Sequence, residues 1–446
     1  MPYFYLVPLV AAALLAYWLY YKQSVGSPQG PRSLPLIGNV HQLSTEHLEH
    51  TFARWARKYG DPVFVRFFKT PVLVVNTLHV ARELLDKRGS IYSSRPRTVL
   101  LSEMMEWDSI VFLPYDSERR RKQRKWIQAV FGDQAALKSY DTIRQRETYK
   151  LIQALAQDPG NFVMLIKCFV AALLLDITYG HAVKSLDDPY FLLMDEATRG
   201  TSDGGTAAAL VDFFPFLRFI PTWMPGAGFK RHALKVRGIV KEASHKPYQA
   251  TKAAVIAGTA PPSLVATLVE DATKAGRLQE DERDIISAAS SVYGAGSETT
   301  KGTLISFILA MTVCPDVFRK AQAEIDRVVG FERLPQLEDR KKLPYIECIV
   351  LEVLRWSTGL PLGIPHCLTE DDTYEGYAIP KGSTVLANLW AMANDEGVYP
   401  DPSMFRPERF LDMDPKAREL TDPRGVVFGF GRRQAQFYLS RMPYND

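Results

Sequence analysis

From Asp281 to Val313 no proline interrupts a helical pattern of apolar and small residues. At 1.5 Å per residue that stretch makes a helix about 50 Å long. A helix of such length has to be wrapped by other helices, because its apolar faces need partners. Pro315 stops the pattern, and a second one runs on toward Val329. The middle of the long helix reads Gly294-Ala295-Gly296-Ser297-Glu298-Thr299-Thr300. A glycine inside a helix costs about 1 kcal/mol relative to alanine, so something must compensate for two of them. Either a flat ligand approaches the bare backbone, or a neighbouring element crosses closely through the small residues. Glu298 and Thr299 place an acid beside a hydroxyl, a pair suited to relaying protons into an enclosed site.

Further helical patterns cover residues near 78–87, 116–131, 137–157, 161–179, 226–257, 263–274 and 343–356. Val63 to Phe67 and Val72 to Val75 read as a hairpin around Pro71, with short strands near Tyr374–Ala378 and Ser383–Leu386. The expected fold class is mainly α with small β-sheets. No repeat and no second linker is visible. With 46% hydrophobic and 23% charged residues the chain is neither disordered nor a disulfide-stapled mini-domain. A net charge of +4 does not by itself argue for nucleic acid. Cys168, Cys314, Cys348 and Cys367 form no C-x-x-C pair and read as buried thiols in a reducing compartment.

Residues 4–21 carry no charge and are nearly all apolar or aromatic, close to the ~20 residues needed to cross a bilayer. A cleaved signal peptide would have a shorter apolar region and a basic start. Trp18, Tyr20 and Tyr21 form an aromatic belt instead, and Lys22 and Arg32 follow. The expectation is a single-pass anchor with the body in the cytosol. Residues 22–40, rich in Pro and Gly, read as an extended hinge.

Glu352 and Arg355 are three apart and share a helix face. Their neighbours are apolar almost all round, so the pair is expected to be buried and to need further partners. Arg409, in Phe405-Arg406-Pro407-Glu408-Arg409-Phe410, is the candidate. Phe428-Gly429-Phe430-Gly431-Arg432-Arg433 reads as a tight turn that aims backbone N–H groups at one point. The run Arg119 to Lys125 holds six cations in seven residues. It reads equally well as a solvated face or as a docking patch for an acidic protein.

These motifs, in this order, resemble the cytochrome P-450 family, the haem-thiolate monooxygenases. The helix motif (A/G)-G-x-(D/E)-T-(T/S) matches Ala295 to Thr300, E-x-x-R matches Glu352 and Arg355, and P-E-R-F matches Pro407 to Phe410. The approach F-x-x-G-x-R matches Phe428, Gly431 and Arg433. The resemblance covers about residues 26–433 and looks most like a fungal microsomal member. It implies a triangular α-rich domain at residues 41–433 around haem b (iron protoporphyrin IX), with Ala295 and Gly296 against the cofactor. It also implies Glu298 and Thr299 on the oxygen side and Phe428 in the haem loop. Arg124, His366 and Arg433 match positions that hold haem propionates, where charged donors suit an anion. Glu352, Arg355 and Arg409 would lock the core.

The family's loop continues x-Cys-x-Gly after the arginine, whereas here Ala435 stands at the iron-ligand position and Phe437 at the glycine. Residues 434–446 read as a non-family tail, and the family's last helix is not matched. Arg120 stands where the family often has the tryptophan of W-x-x-x-R. The resemblance implies a monooxygenase of the endoplasmic reticulum membrane. It would take electrons from an NADPH-dependent flavoprotein reductase and insert one oxygen atom from O2 into a lipophilic small molecule. Apolar segments at Leu101–Phe112, Phe213–Phe216 and Leu360–Pro365 would contact that substrate, and Phe213 to Trp223 would dip into the membrane surface. No nucleic-acid partner is expected. The alternative is a haem-free or inactive pseudoenzyme, a membrane-anchored scaffold, because alanine cannot ligate iron.

Overall fold

The computed structural model describes residues 26, 28–44, 46–132, 134–203, 210–414, 417 and 420–434. The expected anchor at 4–21 and Ala435 lie outside the described residues. The chain divides into two compact units. One comprises residues 1–96, 360–395 and 429–433; the other comprises 97–359, 396–428 and 434–446.

The first unit is built on a four-stranded sheet. Helix α1 (Leu48–Tyr59) leads into β1 (Val63–Phe67) and β2 (Thr70–Val75), antiparallel with Val65 opposite Val72. The later strands are β3 (His366–Cys367), β4 (Asp372–Tyr374), β5 (Tyr377–Ile379) and β6 (Thr384–Ala387). β6 lies parallel to β2 and antiparallel to β3, giving the order β1-β2-β6-β3. Val63, Val65, Val72 and Val74 pack with Phe52 of α1 and Leu386, β-branched residues on a pleated face. The strand expected near Tyr374–Ala378 is instead the hairpin β4–β5. Glu375 and Gly376 both take positive φ there and reverse the chain.

The expected hinge is docked from Pro28 onward rather than free. Phe64 N–H donates to Gln29 O at 3.2 Å. Asn39 is fully buried and bridges Pro31 O (2.9 Å) to Arg66 N–H (2.9 Å). Its amide satisfies the Pro31 carbonyl of the hinge and the Arg66 N–H of β1 together. At Gly30 a Cβ would meet Phe64 O at 2.0 Å, so only glycine fits that approach.

The second unit is helical. It contains α2 (Glu118–Phe131), α3 (Asp141–Gln157), α4 (Phe162–Tyr179), α5 (Pro189–Ser202), α6 (Gly228–Ile256) and α7 (Leu264–Lys274). The long α8 (Leu278–Val313), α9 (Pro315–Val329) and α10 (Pro344–Trp356) follow. The chain turns by 105° between α8 and α9, where Pro315 occupies the first turn of the new helix. Its main core gathers Ala171, Ala172 and Leu175 of α4 with Ile285, Ala288, Ala289 and Val292 of α8. Each fully buried Leu, Ile or Val contributes about 1.5–3 kcal/mol. Among the described residues, 159–179 is the single helical stretch apolar and long enough to cross a membrane, but half of it is buried inside this core.

Candidate functional site

The glycines of α8 are closely approached by neighbouring side chains. A Cβ on Gly294 would meet Trp107 Cζ2 at 2.9 Å, and one on Gly296 would meet Leu174 Cδ2 at 2.9 Å. Both bare positions are therefore filled by side chains. Gly296, expected to face a cofactor, is a packing position against α4. Ala295 and Thr299 share a different face, which is exposed. The Thr299 hydroxyl donates to Ala295 O at 2.8 Å. Glu298 is exposed and ion-paired with Lys301.

In the same unit the E-x-x-R pair is buried with its third partner. Arg355 Nε and Nη2 donate to the two Glu352 oxygens at 2.8 Å each, and Arg409 Nε donates to Glu352 Oε1 at 3.1 Å. Phe428, half-buried, caps the short helix Arg424–Val427.

The basic run on α2 is neither a solvated face nor a uniform docking patch. Arg119 Nε donates to Asp284 Oδ1 at 2.6 Å, and Gln123 Nε2 reaches the same oxygen at 3.0 Å. Lys122 pairs with Asp281 at 2.9 Å and with Asp284. Arg120 is buried and donates to Tyr115 O at 3.1 Å. Burial opposes ionisation of Asp284, but hydrogen bonds from Lys122, Arg119 and Gln123 prevail and hold its carboxyl below the usual range. Arg121 and Lys125 face outward. Arg124 is half-buried, and that burial lowers its guanidinium from its ordinary value.

In the first unit, the segment Ile91–Arg95 runs beside β3, and the turn 429–433 closes on it. Cys367 N–H donates to Ser94 O at 3.0 Å. His366 Nδ1 lies 2.8 Å from Tyr92 O. Arg433 Nε donates to Ser93 O at 2.7 Å. Arg95 Nη1 donates to Ile364 O at 2.7 Å and Pro365 O at 2.8 Å. A carbonyl only accepts, so Nδ1 carries the ring proton. Burial first, then the positive fields of Arg95 and Arg433, push His366 down to about 3. His366 is thus neutral at pH 7 and is not one of the charged donors expected of it. The positive charge comes from Arg433 and from Arg95, which sequence reading missed. An arginine held before Pro96, between the helical patterns 78–87 and 116–131, was its only signal.

The turn itself also differs from expectation. Gly431 N–H, expected to aim at a ligand, donates to Asp86 Oδ1 at 2.5 Å. At Gly431, φ is +55°, and a Cβ would meet Leu85 O at 2.1 Å. Gly431→Ala is therefore expected to lower thermal stability by about 1–3 kcal/mol. Gly429→Ala, with φ +80° but no atom within 4 Å, should cost less. Melting curves of the two variants side by side check this, and equal losses would contradict it.

The cytochrome P450 family model matches residues 28–434. Cytochrome P450 monooxygenases 176 and 136 of Postia placenta are each 41% identical to the chain. Those matches cover 91% and 94% of this chain, and 78% and 80% of theirs. Cytochrome P450 monooxygenase claR of Ampulloclitocybe clavipes is 38% identical over 91% of this chain and 75% of its own.

Proposed function

The chain belongs to the cytochrome P450 family, and from that premise we propose a monooxygenase scaffold for haem b whose present sequence cannot grip the iron through sulfur. The observation that carries the first half is the pair of guanidiniums, Arg95 and Arg433: one donates to the Ile364 and Pro365 carbonyls next to His366, the other to the Ser93 carbonyl next to its partner Tyr92. Such a cluster suits a ligand bearing carboxylates. The metal end does not fit. Phe428 to Phe437 contains no Cys, His or Met, and Ala435 stands where the family has its thiolate. Thiolate ligation is what favours O–O cleavage in this family, and alanine at 435 offers no sulfur to supply it. An inactive, membrane-anchored scaffold is the second reading, and Ala435 favours it.

The substrate in this reading is a lipophilic small molecule. Val99 and Leu100 N–H both donate to Asp212 Oδ1, at 2.5 and 3.0 Å, joining the residues that lead into two of the apolar segments. Leu100, Met104, Met105 and Val211 are buried together there. Phe216, Phe219 and Trp223 are each at least 65% exposed, which supports contact with a membrane surface. Arg121 and Lys125 are the outward charges left for an NADPH-dependent reductase. Residence in the endoplasmic reticulum membrane rests on the apolar segment 4–21.

The test is reconstitution of the detergent-solubilised full chain with haem, followed by reduction and CO. The wild type should take up haem without a thiolate-type Soret band, and Arg433→Leu should weaken uptake. A thiolate-type band in the wild type would overturn the reading of Ala435. Unchanged uptake by Arg433→Leu would overturn the cradle.

A further inference from the structure

The start of α1 carries three ligand-type side chains that the family reading leaves unused. His47, Glu49 and His50 present ligand atoms that all lie within 4.8 Å of one another. His47 Nδ1 is 3.0 Å, and His50 Nε2 3.9 Å, from the same atom, Glu49 Oε1. We propose that these residues bind one divalent transition-metal cation of the zinc class, with a fourth coordination position open.

The donor set argues for that class. Two imidazoles and one carboxylate are ligands zinc accepts in sites that keep an open position. Calcium and magnesium take oxygen and disfavour this set. Bonds of about 2.0–2.2 Å in a tetrahedron place ligand atoms roughly 3.3 Å apart. The two distances to Glu49 Oε1 differ from this by roughly 0.3 and 0.6 Å, and the two imidazoles must close by no more than about 1.5 Å. The side chains best able to supply this movement are the imidazoles, 69% and 48% exposed, while Glu49 is 12% exposed and serves as the fixed corner.

Neighbouring residues hold the backbone and the rings of the cluster in place. Asn388, itself fully buried, donates Nδ2 to Glu49 O at 2.8 Å and fixes the turn. The His50 ring rests on Trp390 at 4.1 Å, and the His47 ring stacks on His50 at 5.0 Å. His47 takes left-handed backbone angles, φ 53° and ψ 55°, just before the helix. Both rings line a cleft of about 460 Å³ that also contains Arg54 and Arg57. Those cations suit an anion or water in the fourth position rather than a fourth protein ligand.

The experiment is calorimetric titration of the detergent-solubilised full chain with Zn²⁺, repeated with Co²⁺ while recording the visible spectrum. One saturable equivalent is expected. His47→Ala, His50→Ala and Glu49→Gln should each weaken it by at least ~10-fold, the lower range for losing even an outer support. His41→Ala and His79→Ala should leave it unchanged. Cobalt should give d–d bands without a sulfur charge-transfer band. Circular dichroism confirms that each variant is folded. The proposal is overturned by no saturable site, by binding that survives joint replacement of His47 and His50, or by a sulfur band that assigns the metal to a cysteine.

Discussion

Arg355→Ala is expected to destabilise the folded chain by about 3–5 kcal/mol, the range for breaking a buried ion pair from one side. Glu352 and Arg355 are both fully buried, and their two 2.8 Å hydrogen bonds are bidentate. Without Arg355, Glu352 Oε1 keeps Arg409 Nε at 3.1 Å and Arg406 N–H at 2.9 Å, but Oε2 loses the Arg355 Nε bond. Glu352→Ala should be worse, because it leaves two guanidiniums in an apolar core. Arg409 reports that tension. Burial lowers its guanidinium first, Glu352 opposes the shift, and Arg355 adds to it. Its remaining donors already hold Pro400 O and Met404 O, at 2.8 and 3.0 Å. Guanidinium denaturation of the single variants and of the Glu352→Leu, Arg355→Leu pair measures the effect. The pair should recover part of the single-site loss. A loss below about 1 kcal/mol for Arg355→Ala, the scale of an exposed pair, would refute this account.

Local patterns in the sequence carried the features that short-range physics decides. The span of α8 was legible because proline is absent from it and present just after it. The pairing of Glu352 with Arg355 was legible because three residues apart is one helical face. The β1–β2 hairpin was legible from its β-branched runs. What escaped was decided by residues far away in sequence. Trp107 and Leu174 fill the bare faces of Gly294 and Gly296, and nothing near the glycines announces them. Asp281 and Asp284 claim the cations of α2 across more than 150 positions. The docking of residues 28–40 depends on Asn39 finding Arg66, and the neutral state of His366 on its burial first and then on Arg95. Charge runs and glycines are ambiguous in sequence because solvent and a distant partner satisfy them equally well.

His366 should give the fold a distinct acid limb. Its folded value, about 3, lies below its ordinary 6.5. Between those values the unfolded chain binds a proton that the native chain refuses, so stability falls as pH drops through the window. The slope from this one group approaches 1.4 kcal/mol per pH unit in mid-window. Its stabilising share is present above pH 6.5 and lost progressively toward pH 3. The groups facing the ring are Arg95 and Arg433, both cations, and the Tyr92 carbonyl, whose hydrogen bond favours the ring proton. His366→Asn keeps an N–H to offer Tyr92 O but has no ring to titrate. Urea midpoints of wild type and variant, compared from pH 7 down to pH 4, isolate the effect from the carboxylates that titrate in both. The two stabilities should converge, or cross, as pH falls. Parallel curves would show that His366 takes up its proton as readily in the native chain as in the unfolded one, and that burial and the two arginines together do not hold its value down.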